Sequence, residues 1–382
     1  MTLLDGATMR TAAEAFVRFP PHRVAPYNKR NWGGTLHSLC SYQGKLKPSI
    51  AHFLVAQFTE PGDRVLDPMA GVGTIPLEAR LQRRIGLAGD LSPLAIAVSK
   101  AKLEPFTAEG VQTRMDALRI AVSHADSQDV SQGDFGLNGP ISGYFHPKTL
   151  REILAVREHF ASRRMSGEFD TADAVILSAM LHILHGNRPY ALSRRSHPIT
   201  PFAPSGDFEY RSVVERLTNR IDKTVPLLAQ LREITSPGSA IEADFRSANS
   251  TFGTVDAVIT SPPFASSFRF WSTNWMRLWF AGWQPEDFKI EPSRYLETEQ
   301  RATFAPYSEF AHSMASVLKP SGTLILHLGE TARENMAAEI APLLEPYFQV
   351  HSVGRESVAT GESHGVDKGA TVAHWYLFAS RR

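Results

Sequence analysis

Val65-Leu66-Asp67-Pro68-Met69-Ala70-Gly71-Val72-Gly73-Thr74 decides how this chain is read. Val65 and Leu66 sit in an apolar run with the look of a buried parallel strand, which Asp67-Pro68 ends. Gly71 and Gly73 then allow the close backbone approach and positive φ of a tight turn into a helix. Working outward, the same alternation repeats. Residues 64–67 read as a strand, 75–82 as a helix, 85–88 as a strand and 93–103 as a helix, with another helix opening at Pro48 and running to 58. That order predicts an α/β fold with a doubly wound, Rossmann-like parallel sheet.

After residue 104 the alternation stops. Helical periodicities take over at Leu150 to Phe160, Thr171 to His185, Tyr210 to Ile221 and Val225 to Ile234. Between them lies a proline-bearing stretch, Gly186 to Gly206, read as a long loop. Strand patterning resumes at 240–243 and 255–260, then at 323–328, 349–353 and 371–378. The expected organisation is therefore an irregular arm over 1–35, a core built from 36–104 and 240–382, and an inserted helical module over 105–239. The loop from Gly354 to Gly369, with Arg355, His364 and Lys368, is expected to join the last two strands near a substrate.

Composition narrows the class. With 382 residues, 43% apolar and 21% charged, the chain can bury one large core or two. Asp5, Arg10, Glu14 and Arg18 interrupt the N-terminal apolar residues, so the reading there is not a signal peptide. Apolar runs such as Ala174 to Ile183 are too short to span a bilayer, and no membrane partner is expected. One cysteine, Cys40, excludes an internal disulfide framework and fits a reducing cytoplasm. His182 and His185 lie on an apolar helix without neighbouring Cys, Asp or Glu in a ligand pattern, so they read as structural and no metal is expected. A net charge of +1 gives no global attraction for a polyanion.

The glycine loop alone is also compatible with a turn that holds nothing. The next strand end sharpens it: Gly89-Asp90-Leu91-Ser92-Pro93 places a carboxylate where a nucleotide ribose is gripped through its hydroxyls. Asp67 in the first turn would repel a pyrophosphate and would pair with an ammonium. S-adenosylmethionine carries such a group, which makes it the expected cofactor.

A second motif, Val258-Ile259-Thr260-Ser261-Pro262-Pro263-Phe264, also follows a strand. Its two prolines fix φ and hold Ser261 extended, so that the Ser261 hydroxyl and the Pro262 carbonyl can face one way beside the Phe264 ring. An exocyclic amine on an aromatic base is a poor nucleophile because its lone pair is delocalised. Two acceptors on its N–H groups free that lone pair, and an aromatic face stabilises the positive charge that grows on the nitrogen. The competing reading is a Pro-Pro turn that only caps a strand.

Taken together, the two motifs resemble the amino-methyltransferases that modify exocyclic amines of DNA bases. The stretch His37 to Pro48 is similar to the segment preceding the cofactor loop in that family. The resemblance covers 36–104 and 240 to about 330. It implies S-adenosylmethionine contacts from Tyr42, Lys45, Asp67, Pro68, Met69, Ala70, Gly71, Gly73, Thr74, Asp90 and Leu91, with Asp244 beside the adenine. It implies that Ser261, Pro262, Pro263 and Phe264 hold the target base. An opening serine is commoner in the cytosine-N4 branch than among adenine-N6 enzymes. Phe264 stands where tyrosine is usual, Met69 where phenylalanine is usual, and the insertion follows the second strand rather than the family's usual place.

The partner is expected to be DNA, with RNA or a small conjugated amine as alternatives. A duplex substrate requires base flipping and cationic grip on phosphates. Residues 105–239 hold 15 basic and 15 acidic side chains, so the module as a whole is not basic. Within it, the run from Gly186 to His197 carries Arg188, Arg194 and Arg195 with Tyr190 and no acid; it reads either as a nucleic-acid track or as a solvated loop. Arg18, His22, Arg23, Lys29 and Arg30, and Arg163-Arg164, are candidates for the same surface. Trp271, Trp275, Trp279 and Trp283 recur every four residues and are expected along one helix stripe, as core or as a stacking wall.

Overall fold

The structure, a computed structural model, describes residues 6–29, 32–231, 237–265, 269–358 and 371–382. Seven strands form one sheet: β1 (Arg64–Asp67), β2 (Ile85–Asp90), β3 (Ser239–Glu242), β4 (Val255–Thr260), β5 (Leu318–Thr331), β6 (Phe348–Ser357) and β7 (Thr371–Arg381). Their order is β3-β2-β1-β4-β5-β7-β6. The first five are parallel, and β7 runs antiparallel between β5 and β6. The chain leaves the centre of the sheet at β1, travels outward to β3, and returns to the other side of β1 at β4. The β1/β4 boundary is thus the switch point at which doubly wound sheets hold ligands, beyond the carboxyl ends of their strands. Both motifs leave from those two strand ends.

Helices α1 (Gly6–Arg18), α2 (Pro48–Phe58), α3 (Thr74–Leu81) and α4 (Pro93–Leu103) come first. Pro48 and Pro93 occupy first-turn positions, where a missing N–H costs nothing. The module supplies α5 (Ala108–Ser123), α6 (Pro147–Met165), α7 (Thr171–Ile183) and α8 (Val213–Gln230). Shorter helices α9 (Ala248–Phe252), α10 (Phe270–Thr273), α11 (Trp275–Phe280), α12 (Asp287–Ile290) and α13 (Leu296–Glu299) precede α14 (Pro306–Val317) and α15 (Met336–Leu344).

Strand periodicity of two assigns the sheet's faces. Leu66, Val258, Leu324 and Leu326 point to one side and pack on α14 and α15. Val65, Ala257, Ile259 and Ile325 point to the other, against α1, α2 and α3. The inserted helices share a third core with α4 and α11, in which Leu94, Val98, Ile153, Met180 and Leu217 meet Trp275 and Trp279. The module is therefore tied to the sheet's own helices by continuous apolar packing.

Three sequence expectations need correction. The arm over 1–35 is not irregular throughout: 6–18 is helical, because Met9, Ala13 and Phe16 recur at helical spacing and are buried. The tryptophans do not share one helix, since the chain breaks at Asn274, where α10 ends and α11 begins. Trp275 and Trp279 are core, and Trp283 lies beyond α11. The two helices expected over 210–234 are one helix, Val213–Gln230, which continues through Pro226. Ile234, Arg30, His364 and Lys368 lie outside the described residues. Among the described residues, no helix is long and apolar enough to cross a membrane.

Candidate active site

The two motifs are joined directly. β1 and β4 are neighbours, with Val65 opposite Ala257 and Leu66 opposite Val258. Within the second motif, Thr260 Oγ1 donates to Asp67 Oδ1 at 2.7 Å. Met69 N–H donates to the same carboxylate oxygen at 3.2 Å. Asp90, at the end of β2, closes the loop from its other side: Oδ2 accepts from Gly71 N–H at 2.8 Å and Oδ1 from Ser92 N–H at 2.9 Å. The backbone also crosses between the strand ends, from Ala70 N–H to Gly89 O at 2.9 Å.

Neither carboxylate has a cationic partner among the described residues. Burial dominates their titration, lifting Asp67 to about 7 and Asp90 to about 6, against the opposing pull of their hydrogen bonds. A carboxylate answered only by hydroxyl and amide donors has room for a cation or for further hydroxyl donors from a ligand. The donor set thus fits the ammonium and ribose of S-adenosylmethionine.

Gly71 and Gly73 adopt left-handed φ values of 51° and 70°. A Cβ on Gly71 would lie 3.1 Å from the Tyr42 hydroxyl, so the loop and Tyr42 need that glycine to lie together. Two residues that sequence reading missed hold the loop from below. Ser99 Oγ donates to Gly71 O at 3.0 Å, and the buried Lys102 ammonium donates to Val72 O. Both lie on α4, where their spacing of three puts them on one helix face. Tyr42 packs its ring 5.2 Å from Phe270, and Tyr295 extends the aromatic wall 6.2 Å beyond Phe270.

The segment preceding the loop is anchored by the buried Glu78 of α3. Its carboxylate meets His37 Nε2 at 2.8 Å and His52 Nδ1 at 3.0 Å. Lys45, expected at the cofactor, directs its ammonium to the His37 carbonyl at 2.6 Å. Asp244 caps a turn and pairs with Arg246 at 3.1 Å. It adjoins the cradle through Ala243, whose N–H donates to Asp90 O at 3.0 Å.

In the second motif, Ser261 Oγ and His327 Nδ1 of β5 share a hydrogen bond at 2.9 Å. Gln300 Nε2 donates to Pro263 O at 2.9 Å and fixes the Pro-Pro backbone. Phe264 lies over Gly329, where any Cβ would meet the ring at 2.5 Å. His327 and His374 flank that ring at 5.3 and 5.8 Å. His327 was invisible in the sequence because its role depends on register: Thr260 pairs with Leu326, which brings the next residues of β4 and β5 side by side.

The expected basic surface is partly consumed by the fold. Arg194 donates to Gly206 O at 2.7 Å and Gly143 O at 3.0 Å, with its guanidinium over Phe208. Arg163 pairs with buried Asp173 at 2.9 Å, Arg164 binds Ala281 O, and Arg23 pairs with Glu356. Arg188 and Arg195 are exposed. His182 stacks on Tyr190 at 5.0 Å, and His185 is buried. Among the described residues, no cluster of three metal-ligating side chains is present.

Residues 38–124 match the family model described as UPF0020, RMKL-like, methyltransferase domain. No curated protein matches. Among solved structures, the chain is similar to TrmN from Thermus thermophilus, at 14% identity and TM-score 0.34, covering 91% of this chain and 52% of that one. It is similar to the rRNA methyltransferase aviRa from Streptomyces viridochromogenes, at 12% identity and TM-score 0.36, covering 94% and 95%. It also resembles a modification subunit of a putative type I restriction enzyme from Vibrio vulnificus YJ016, at 13% identity and TM-score 0.31, covering 100% and 51%. The chain thus spans about half the length of the first and third of these structures. The strand order with its reversed β7 and the matched cofactor-loop segment are those of a Rossmann-like methyltransferase.

Proposed function

We propose that this protein is an S-adenosylmethionine-dependent N-methyltransferase acting on an exocyclic amine of a DNA base, with cytosine N4 ahead of adenine N6. The observation that carries this reading is the pair of carboxylates without a cationic partner among the described residues, buried Asp67 and half-buried Asp90, with Asp67 joined through Thr260 to the Ser261-Pro262-Pro263-Phe264 loop. When bound, the cofactor supplies a methyl group on a sulfonium. Asp67 would take its ammonium, Asp90 its ribose hydroxyls, and the backbone from Pro68 to Thr74 its close approach, with Tyr42 and Leu91 alongside.

The chain's own residues act on the acceptor. Ser261 Oγ and the Pro262 carbonyl accept the amine's N–H bonds and favour a pyramidal nitrogen with a free lone pair. The Phe264 ring face stabilises the positive charge that develops on that nitrogen. No base is required before attack; the methylated nitrogen then loses one N–H proton to solvent. The serine that opens the motif supports cytosine N4 through the family resemblance. An RNA base or a small conjugated amine is the second reading. The neutral module and the inward commitment of Arg163, Arg164 and Arg194 favour the small amine, which carries no phosphates to be gripped.

The test is methyl transfer from labelled S-adenosylmethionine to unmethylated duplex DNA, single-stranded DNA and bulk tRNA in parallel, followed by nucleoside analysis. N4-methylcytosine in DNA is the expected product. Label in tRNA alone moves the acceptor to RNA, and cofactor binding with no labelled polymer moves it to a small amine. A protein that does not bind the cofactor overturns the reading.

A further inference from the structure

We propose that His327 is a positioning residue that turns Ser261 into an obligate hydrogen-bond acceptor for the target amine. This rests on the N-methyltransferase reading above and assigns how its acceptor loop is set. A serine hydroxyl has one proton and two lone pairs, and left alone it rotates among donor and acceptor roles. An acceptor loop needs the lone pairs aimed at the substrate and the proton pointed elsewhere. The structure provides an elsewhere, since His327 Nδ1 lies 2.9 Å from Ser261 Oγ.

The imidazole is held rigidly. It is 3% exposed and stacks on His374 at 4.9 Å with a 23° interplanar angle. Tyr376 covers another side at 5.2 Å and Phe264 a third at 5.3 Å. The groups facing it are Ser261 and Phe264 after β4, His374 and Tyr376 on β7, Glu356 on β6, and His22 from the N-terminal segment. Tyr376 is already committed, because its hydroxyl donates to Glu356 Oε2 at 2.7 Å. His22 lies 3.0 Å from both oxygens of that carboxylate, and Arg23 pairs with it as well. Among the described residues, His327 Nε2 is therefore left without a hydrogen-bond partner.

Burial, reinforced by His374, keeps the ring well below the ordinary histidine value and hence neutral. Of the two neutral tautomers, the one with the proton on Nε2 presents Nδ1 as an acceptor. Ser261 O–H then donates to Nδ1, and both Oγ lone pairs remain for the amine. The opposite tautomer would donate Nδ1–H to Ser261 and use one Oγ lone pair on the histidine. Among the described residues Nε2 has no partner in either tautomer, so the hydrogen bond to Ser261 is what distinguishes them.

The test uses the full chain with ¹⁵N-labelled histidine. The His327 resonance, assigned by its loss in His327→Gln, is expected to show the Nε2–H tautomer. Its Nδ1 shift is expected to move towards that of an unbonded acceptor in Ser261→Ala. An Nδ1–H tautomer, or an Nδ1 that ignores Ser261→Ala, overturns the proposal whatever the enzyme's substrate. In single-turnover transfer, His327→Ala is expected to be slower by about two- to twelvefold, the value of one neutral hydrogen bond, with S-adenosylmethionine affinity unchanged. His327→Asn, whose side-chain oxygen can replace Nδ1, restores most of that loss. The double variant Ser261→Ala/His327→Ala is expected to be no slower than Ser261→Ala alone, since the two act as a unit. Multiplying losses, or an unchanged His327→Ala in an active enzyme, overturn the positioning role alone. A wild-type protein that methylates no amine overturns the reading on which the proposal rests.

Discussion

At the strand-end cradle, buried Asp67 and half-buried Asp90 meet, among the described residues, hydroxyl and amide donors only. In the inserted module and the helix it packs on, buried and half-buried cations are answered by the fold itself. Arg163 meets Asp173; Arg157 donates to Trp279 O and Trp283 O; Arg277 donates to the carbonyls of Leu181, Pro198 and Ile199. The same cost of desolvating charge is present in both places. In the module it is offset by architecture, so those arginines hold helices and loops together. In the cradle it is left standing and appears as carboxyl groups that titrate near 7 and near 6. Such an imbalance leaves room for a charge supplied from outside.

The comparison breaks first at the acceptor loop. Ser261→Ala combined with Phe264→Ala is expected to reduce transfer by about a thousandfold, the scale of a lost transition-state contact. S-adenosylmethionine affinity should stay near wild type, as calorimetry would show; a lost affinity would mean that this loop holds cofactor instead. Next comes Arg163→Ala, which leaves fully buried Asp173 with the Asp170 N–H at 3.0 Å and, as its remaining cation among the described residues, Arg114 at 3.8 Å. Denaturant unfolding should show a loss of about 3 kcal/mol, as for other broken buried pairs, with cofactor affinity unchanged.

Sequence legibility follows the same division. Strands β1 and β4 and helices α2 and α4 carry their boundaries in the chain itself, because apolar runs, prolines and glycines are local signals. Asp67, Gly71, Gly73 and Asp90 were readable because they sit at strand ends in a regular alternation. Their partners were not. Thr260 and His327 act through strand register, and Ser99 and Lys102 through the packing of α4 beneath the loop; none of these is marked by a motif. The N-terminal helix was hidden by neighbouring prolines, although Met9, Ala13 and Phe16 already show its stripe. In the module, arginines that looked free in sequence were spent on distant carbonyls and carboxylates, and composition cannot reveal that.

The cradle itself can be sharpened by charge and by pH. Asp67→Ala is expected to weaken S-adenosylmethionine binding by about 10- to 100-fold, the worth of a charge-assisted hydrogen bond. Because burial raises Asp67 from 3.8 to about 7, the unliganded fold gains protons relative to the unfolded chain. Its stability should therefore fall as pH rises from about 4 to 7. Cofactor binding runs the opposite way, since a cation selects the ionised carboxylate. Affinity should tighten by about five- to tenfold between about pH 6 and 7.5, below the range where the ligand's amino group loses its own proton. Asp67→Asn should flatten that profile and stabilise the unliganded protein near neutrality. A steep profile in Asp67→Asn would assign the titration to Asp90.

The smallest effect tests whether any of the module's cations were left for a partner. Arg188 and Arg195 are exposed in the same loop whose Arg194 is turned onto carbonyls. If a nucleic-acid backbone runs along that loop, Arg188→Ala with Arg195→Ala removes about two phosphate contacts. The slope of log affinity against log salt should then fall by about two. Folding stability should move by no more than about 0.5 kcal/mol, as for exposed side chains in general. Arg194→Ala is the internal contrast, because it breaks two loop-bracing hydrogen bonds and should cost stability before it changes the salt slope. A slope that ignores Arg188 and Arg195 would make the whole module architectural. The unanswered charge of this molecule would then lie entirely at the cradle, and a small or weakly charged amine would become the better acceptor.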